Sequence, residues 1–430
     1  AAQATVLAGV ETLAETETLA PDDALGRVLA GALVAATSIP PWDSAAMDGY
    51  AIRASDLRLA TNAGPVRLTV VGEVRAGRDP DVRVLSDTAV RIATGARIPP
   101  GANAVVPVEL TTPMGESGSP GPRGREATGP LPAACLVHES VPIGWAIRRA
   151  GSSVEAGTEA VRAGETVTPA AVALAAGIGA GSIIVRRRPV VAVLAVGDEI
   201  RAAGTEPGSA GIPDANGPGL RALARDAGAV ALDLGIAEDR LEDVVEKLRR
   251  GIAEADLVVV SGGASVGPYD VVRNAFDAVG HRNLWRVAIQ PGKPFAFGRA
   301  DAEARESPVL LFGLPGNPVA SLVTFELFVR PVIRRLAGHS SLHRGVDRGV
   351  LEEPVSKSRG RRGYQLVVAL RDDAGTPLRD SAGRVRVRLA GRRGSRGLAA
   401  LGETAALAVI PEACELADAG TEVELRWLGR

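Results

Sequence analysis

The chain has 430 residues and a mass of 44.1 kDa, a length for about three domains at ~150 residues each and ample for cores that need no covalent staples. Its 49 Lys and Arg against 50 Asp and Glu leave a formal charge of −1, so no global field favours nucleic acid or an anionic membrane. Gly and Pro (51 and 29) stay below the ~25–30% of low-complexity chains, and two cysteines, Cys135 and Cys414, exclude a disulfide framework or a Cys-x-x-Cys zinc site.

In chain order, residues 5–35 read as mostly helical, because Val6, Leu7, Val10 and Leu13 recur near helical spacing. Glu11, Glu15 and Glu17, with no basic-then-apolar leader, fit a soluble, cytoplasmic protein. Strands are expected at Val66–Val71, Ala89–Ile92 and Ala104–Glu109. Ten of the 22 residues from Thr111 to Pro132 are Gly or Pro, which predicts a surface loop. Thr168–Ala176 reads as a helix, and the apolar stretch to Val185 is interrupted by Gly177, Gly179 and Gly181, too short for a bilayer span. From Pro189 strands and helices alternate: strands at Val190–Val196, Val230–Leu234, Leu257–Val260, Leu284–Ile289 and Val309–Phe312, helices at Asn216–Ala227, Leu241–Ala253, Val271–Val279 and Val319–Leu336. That order predicts a mostly parallel sheet covered on both faces. Beyond Gly338, strands at Gln365–Leu370, Arg384–Leu389 and Glu422–Leu428 suggest a small β-domain.

Ligands of open α/β sheets sit at the carboxyl ends of the strands. Those ends carry Gly197-Asp198-Glu199, Glu238-Asp239, Ser261-Gly262-Gly263 and Gly313-Leu314-Pro315-Gly316-Asn317-Pro318. Gly-rich turns ahead of helices offer backbone N–H groups to an anion. Glu199, Asp239 and Asp270 would repel that anion unless a divalent cation such as Mg²⁺ intervenes. Taken singly, each segment also serves as a tight turn with an acidic helix cap; four on successive strand ends favour the ligand. The run Ile289–Gly298 presents Lys293, one of three lysines (with Lys247 and Lys357) among 46 arginines. A Lys retained in such a chain suggests a compact ammonium for an oxyanion or phosphate, or else a chance Lys on a turn. Upstream, Pro40–Ala51 concentrates Trp42, Met47, Asp48 and Tyr50 in a chain poor in aromatics, and Arg91–Ala96 ends a strand in a polar turn.

Jointly, PPWDSAAMDGYA, RIATGARIPPGANAVVPVE, VAVLAVGDEI, VVVSGGASVGPYD, IQPGKPFAFG and LFGLPGNPVASLVTF resemble the molybdopterin molybdenumtransferase family, MoeA and the E domain of gephyrin, over essentially the whole chain. The resemblance implies a multidomain α/β protein with four parts. These are a helical linker domain (1–30 and 146–180), a β-rich upstream domain (31–145), a doubly wound molybdopterin-binding α/β domain (181–337) and a small C-terminal β-barrel (338–430). It implies a homodimer whose active cleft is shared between subunits, with a molybdopterin adenylyltransferase or a molybdoenzyme as candidate partners. The implied activity takes adenylylated molybdopterin and molybdate, releases AMP with Mg²⁺ assisting, and leaves molybdenum on the dithiolene. Carried over by position, Asp48, Thr94, Glu199, Asp239, Asp270 and Lys293 form the catalytic set, and Glu199, Asp239 and Asp270 the metal ligands. Ser261, Gly262, Gly263, Gly292, Pro315, Gly316, Asn317 and Pro318 shape the cofactor pocket.

Several positions depart from the family pattern, among them Ser44-Ala45 where the family has Asn-Ser. Ser153 replaces an acid, Arg286 replaces a Lys in keeping with this chain's habit, and Gln290 replaces a Lys with a neutral amide. Ser153 and Gln290 motivate a second reading, a catalytically weakened gephyrin-like scaffold that binds a protein. Nucleic acid is not expected as a partner, since Arg384, Arg386 and Arg388 lack interleaved aromatics and read as a solvated face. His339 and His343 lack a third ligand for zinc, and His138, His281 and both cysteines read as structural.

Overall fold

Val190–Val196 is apolar at every position because both of its faces are covered. Val191 and Val193 enter one core cluster, while Ala192, Leu194 and Val196 enter another, the period-two alternation of a strand between two helical layers. The computed structural model describes residues 1–124, 129–206, 208–263, 271–302, 307–391 and 397–429. In it, Val230–Ala237, Val190–Val196, Leu257–Gly262 and Val309–Leu314 run parallel in that spatial order. Ala296–Ala300 and His281–Trp285 extend the sheet antiparallel. Helices Asn216–Asp226 and Pro318–Thr324 pack into the first cluster, Leu241–Glu254 and Val271–Val279 into the second.

The expected helix at Val319–Leu336 is three segments: Pro318–Thr324, a π-helical turn at Phe325–Val329, and Arg330–Leu336. Pro331 explains the interruption, since it has no N–H for the carbonyl four residues earlier. That carbonyl, Leu327 O, accepts instead from Gln3 Nε2 at 2.9 Å, which docks the first helix, Ala2–Leu7, onto the α/β unit.

The rest of the expected 5–35 helix is not helical, and this corrects the sequence reading. Thr16–Leu19 pairs with Ile183–Arg186, and Leu33–Val34 pairs with Glu159–Val161. Of the residues whose spacing suggested a helix, Val6 and Leu7 lie in Ala2–Leu7, whereas Val10 and Leu13 pack against the α/β core outside any helix. Leu29 and Leu33 bury beside Ala175, Ile178 and Val185, ~150 residues away in the chain. The helix of this linker is Pro169–Gly177, capped by Thr168, whose Oγ1 accepts from Ala171 N at 3.2 Å.

Upstream, six strands pair in the order Ala104–Pro107, Gly49–Ile52, Thr88–Ile92, Val66–Val74, Ala134–Val137, Thr111–Met114. Part of the expected Thr111–Pro132 loop is therefore strand, and residues 125–128 lie outside the described residues. At the C-terminal end, Arg362–Ala369, Val385–Leu389, Val346–Leu351, Glu422–Trp427 and Ala406–Ile410 pair in sequence, and the last pairs back to the first. The ring closes into a barrel. Only part of the expected Leu284–Ile289 strand is as foreseen: Ile289–Gln290 leaves the α/β sheet and adds parallel to the barrel strand Arg362–Ala369. Among the described residues no helix is long and apolar enough to cross a membrane.

His339 sits where linker and α/β unit meet. It is 6% exposed, and its Nδ1 lies 3.1 Å from Thr166 Oγ1. Burial, then the charges of Arg334 and Arg330, push its pKa down from 6.5 to about 4. The folded chain thus keeps the imidazole neutral where the unfolded chain takes up a proton. Its contribution is intact above pH 6.5 and is lost as pH falls towards 4. We expect a loss of about 2 kcal/mol between pH 7 and pH 5, read from urea midpoints, and a flatter pH profile in His339→Gln.

Candidate active site

The carboxyl ends of Val190–Val196, Val230–Ala237, Leu257–Gly262 and Val309–Leu314 open onto a cavity of about 680 Å³. Glu199, Asp239, Ser261, Gly262, Gly263 and Gly316 line it, so the structure brings together six residues read from separate motifs. Asn216, Leu241 and Val271, the first residues of three helices, also line it, and Gly316 leads into a fourth. Helix N-termini present free N–H groups and partial positive charge, the backbone arrangement that receives phosphate.

The glycine at 262 is required by geometry. Its φ is +95°, and a Cβ there would lie 2.1 Å from Val196 O. Ser261 Oγ donates to Pro315 O at 3.3 Å, tying this turn to the 315–318 loop. Asn317 caps its helix, accepting from Ala320 N at 3.1 Å, and Pro318 follows in the first turn. Asn317 and Pro318 therefore hold the loop in shape, and Gly316 is the member that lines the cavity.

Asp239 stands opposite Asp198 and Glu199. Its N–H donates to Asp198 Oδ1 at 3.0 Å, and the return contact from Asp198 N is long, 3.5 Å. Partial burial raises the Asp239 pKa, the Asp198 N–H lowers it, and the Asp198 and Glu199 carboxylates raise it again. This pocket of negative charge carries no ion pair to Asp198, Glu199 or Asp239 among the described residues. Asp270, the third expected metal ligand, lies outside the described residues, and no group of three His, Cys, Asp or Glu converges on a metal position among the described ones. Hard oxygen donors that lack a protein cation still fit Mg²⁺, which keeps several waters and uses one or two carboxylates beside substrate phosphates.

The sequence reading missed Asp214, Asn216 and Asn274, which line the same cavity. Asp214 Oδ1 accepts from Gly217 N at 2.9 Å at the start of a helix, and Asn216 Nδ2 donates to Gly316 O at 2.7 Å, bridging two strand-end loops. The "Asp-x-Asn ahead of a helix" pattern was the available signal for the first two.

Asp48 and Thr94 form a separate group. Thr94 N and Oγ1 both donate to Asp48 Oδ1, at 2.5 and 2.8 Å, because Gly49 pairs with Ile92 and sets the two strand ends side by side. Every residue lining the α/β cavity falls between 195 and 316, so this chain does not bring Asp48 and Thr94 to it.

Lys293 belongs to a third group. A pocket of about 350 Å³ is lined by Arg286, Lys293, Arg359 and Arg361, with Val287, Ala288 and Gly360 between them. Gly292, at φ +109°, turns the loop where a Cβ would lie 2.7 Å from Thr324 Cγ2. Among the described residues none of these four cations is ion-paired, whereas Arg384, Arg386 and Arg388 pair with Asp380 and Glu422, with Glu352, and with Glu403. Of the other two lysines, Lys247 pairs with Asp243 on a helix surface. Lys357 is buried, its Nζ donating to Ser358 O and Glu412 O at 3.2 Å each. Sequence reading did not foresee Arg359 or Arg361 here.

Residues 1–179 match the family model "MoeA N-terminal region (domain I and II)", and 192–335 match "Probable molybdopterin binding domain". "Molybdopterin molybdenumtransferase 2" of Mycobacterium tuberculosis is 37% identical over 363 residues, 83% of each chain. The chain belongs to the molybdopterin molybdenumtransferase family. The Haemophilus influenzae molybdopterin molybdenumtransferase is 34% identical over 75% of this chain and 74% of its own. The crystal structure of the MoeA protein from Pyrococcus horikosii superposes with a TM-score of 0.81 at 28% identity, over 100% of this chain and 98% of that one. The α/β unit, the β-rich N-terminal region and the closed C-terminal barrel are thus the molybdopterin molybdenumtransferase architecture.

Of the two departures that remove a charge, Ser153 is exposed in the linker, its N–H donating to Ile39 O at 2.9 Å, and nothing in the structure accounts for the lost acid. Gln290 has a partner: its Oε1 accepts from Ser358 N at 2.9 Å.

Proposed function

We propose that this chain inserts molybdenum from molybdate into adenylylated molybdopterin and releases AMP. The observation that carries this reading is the strand-end cavity, where helix N-termini suited to phosphate face the carboxylates Glu199 and Asp239, which have no ion pair among the described residues. In this reading the N–H groups of the 261–263 turn and of the helix starting at Asn216 hold the pterin phosphate. Glu199 and Asp239, with Asp270 on the family resemblance, would hold Mg²⁺, which when bound supplies charge neutralisation at the phosphoanhydride. The four-cation pocket around Lys293 binds molybdate, a tetrahedral oxyanion matched to ammonium and guanidinium donors.

Asp48 and Thr94 lie outside the cavity of their own chain, which supports a homodimer in which they face the partner's cavity. Asp48 then orients Thr94 Oγ1, and the pair closes the cleft against water. The domain limits given by the resemblance, 1–30 with 146–180, 31–145, 181–337 and 338–430, belong to this proposal, as does a cytoplasmic location with a molybdopterin adenylyltransferase or a molybdoenzyme nearby.

Complementation tests the reading. Expressed in a strain lacking its insertase, this chain should restore a molybdoenzyme. A folded, soluble protein that restores none would favour the scaffold reading instead.

A further inference from the structure

Gln290 is a neutral residue bonded next to Arg359, one of four cations that carry no ion pair among the described residues, and its place in the fold gives it a task. Ile289–Gln290 leaves the α/β sheet to pair with Arg362 and Gly363 of the barrel, so the loop that carries Lys293 and the loop 358–361 are joined along one edge. Three N–H groups of the second loop and its flank are held: Arg362 N donates to Ala288 O, Gly360 N to Glu412 O, both at 2.9 Å, and Ser358 N to the Gln290 side chain. Only the last is held by a side chain from the α/β unit, and it stands one residue before Arg359. On the facing side, Arg286 adopts φ +80°, a left-handed conformation rare for a residue with a Cβ. Its N–H donates to Phe295 O, and Val287 N donates to Lys293 O. Backbone bonds hold both walls of the pocket, with the Gln290 side chain added on one of them, and among the described residues the four charged side chains carry no ion pair.

We propose that Gln290 is a positioning residue for the oxyanion site, an inference that rests on the proposed molybdate pocket. Its amide oxygen fixes Ser358, so that Arg359 and Arg361 of the barrel stand over Lys293 and Arg286. The charge for the anion comes from the barrel loop, and position 290 supplies the acceptor that aims it. An ammonium at 290 could not accept from Ser358 N.

Isothermal titration calorimetry of the full chain with molybdate tests this, because it requires no turnover. Gln290→Leu should bind molybdate about three- to ten-fold more weakly than the unaltered chain, the effect of one lost hydrogen bond. The double variant Arg359→Ala/Arg361→Ala should also bind weakly, and adding Gln290→Leu to it should change nothing further, since the residue acts through those arginines. In AMP-release kinetics Gln290→Leu should raise KM for molybdate and leave kcat within about two-fold, whereas a general structural defect lowers kcat and the melting temperature together. Unaltered affinity in Gln290→Leu, an additive loss in the triple variant, or no molybdate binding by the unaltered chain would each overturn the inference. If the unaltered chain binds molybdate yet releases no AMP, the insertase reading fails and the positioning role stands.

Discussion

Replacing Gly262 by Ala is expected to destabilise the chain by about 3 kcal/mol or more and to cut turnover about a hundred-fold. A left-handed φ of +95° costs a residue with a Cβ about 1–2 kcal/mol. The new methyl would lie 2.1 Å from Val196 O, a backbone atom that moves only if two adjacent strands separate. Separation shifts the 261–263 turn from the cavity and pulls Ser261 Oγ from Pro315 O. Urea denaturation gives the first effect and AMP release the second. A variant with native stability would mean that this turn does not approach Val196 as described. Serine in place of Gly262 should do the same, whereas alanine at Gly360, where no atom lies within 4 Å, meets only the cost of its φ of +80°.

Asp239→Asn should abolish AMP release, by about a hundred-fold or more, without lowering the melting temperature of the unliganded chain. The two expectations diverge because of the electrostatics. Partial burial, and then Asp198 and Glu199, hold the Asp239 carboxyl above its ordinary pKa, so the ionised group is a burden on the empty fold. The sign follows: a raised folded-state pKa on an acid means stability falls as pH rises through it, and the amide removes that cost. The charge is kept for what enters the cavity, a hard cation beside phosphate. A melting temperature that drops with Asp239→Asn would show the carboxylate to be a structural partner, and unchanged turnover would remove it from the machinery.

How far the chain could be read before its structure follows from what each signal depends on. Val190–Val196 and Leu257–Gly262 are apolar on both faces, and such runs between Gly turns admit few alternatives, so the parallel sheet and its strand-end residues Glu199, Asp239 and Ser261–Gly263 were legible. Residues 5–35 misled because helical spacing of apolar residues is a local signal: Val10 and Leu13 are taken up by the α/β core without a helix, and beyond them Leu29 and Leu33 pack with Ile178 and Val185 far along the chain. Pro331 could have been read as a break in the long helix, but not that Gln3 would satisfy the freed carbonyl.

The same distinction divides the site. Asp239 announced itself at a strand end, and Lys293 by composition. Arg359 and Arg361 are two arginines among 46. They matter only through the pairing of Ile289–Gln290 with Arg362–Gly363, about 70 residues away, and no spacing encodes that. Gln290 looked like a lost charge for the same reason, because the Ser358 N–H that it receives was invisible until the barrel edge was placed. Asp48 and Thr94 entered through the resemblance alone; their hydrogen bond to each other, and their place outside the cavity of their own chain, needed the structure.

Molybdate-dependent release of AMP is the decisive reaction. Purified protein should be given adenylylated molybdopterin and Mg²⁺, with and without molybdate, and AMP followed with Asp239→Asn as control. AMP release by the unaltered chain that depends on molybdate and disappears in Asp239→Asn is the predicted result; release indifferent to molybdate, or none from a folded protein, would contradict it.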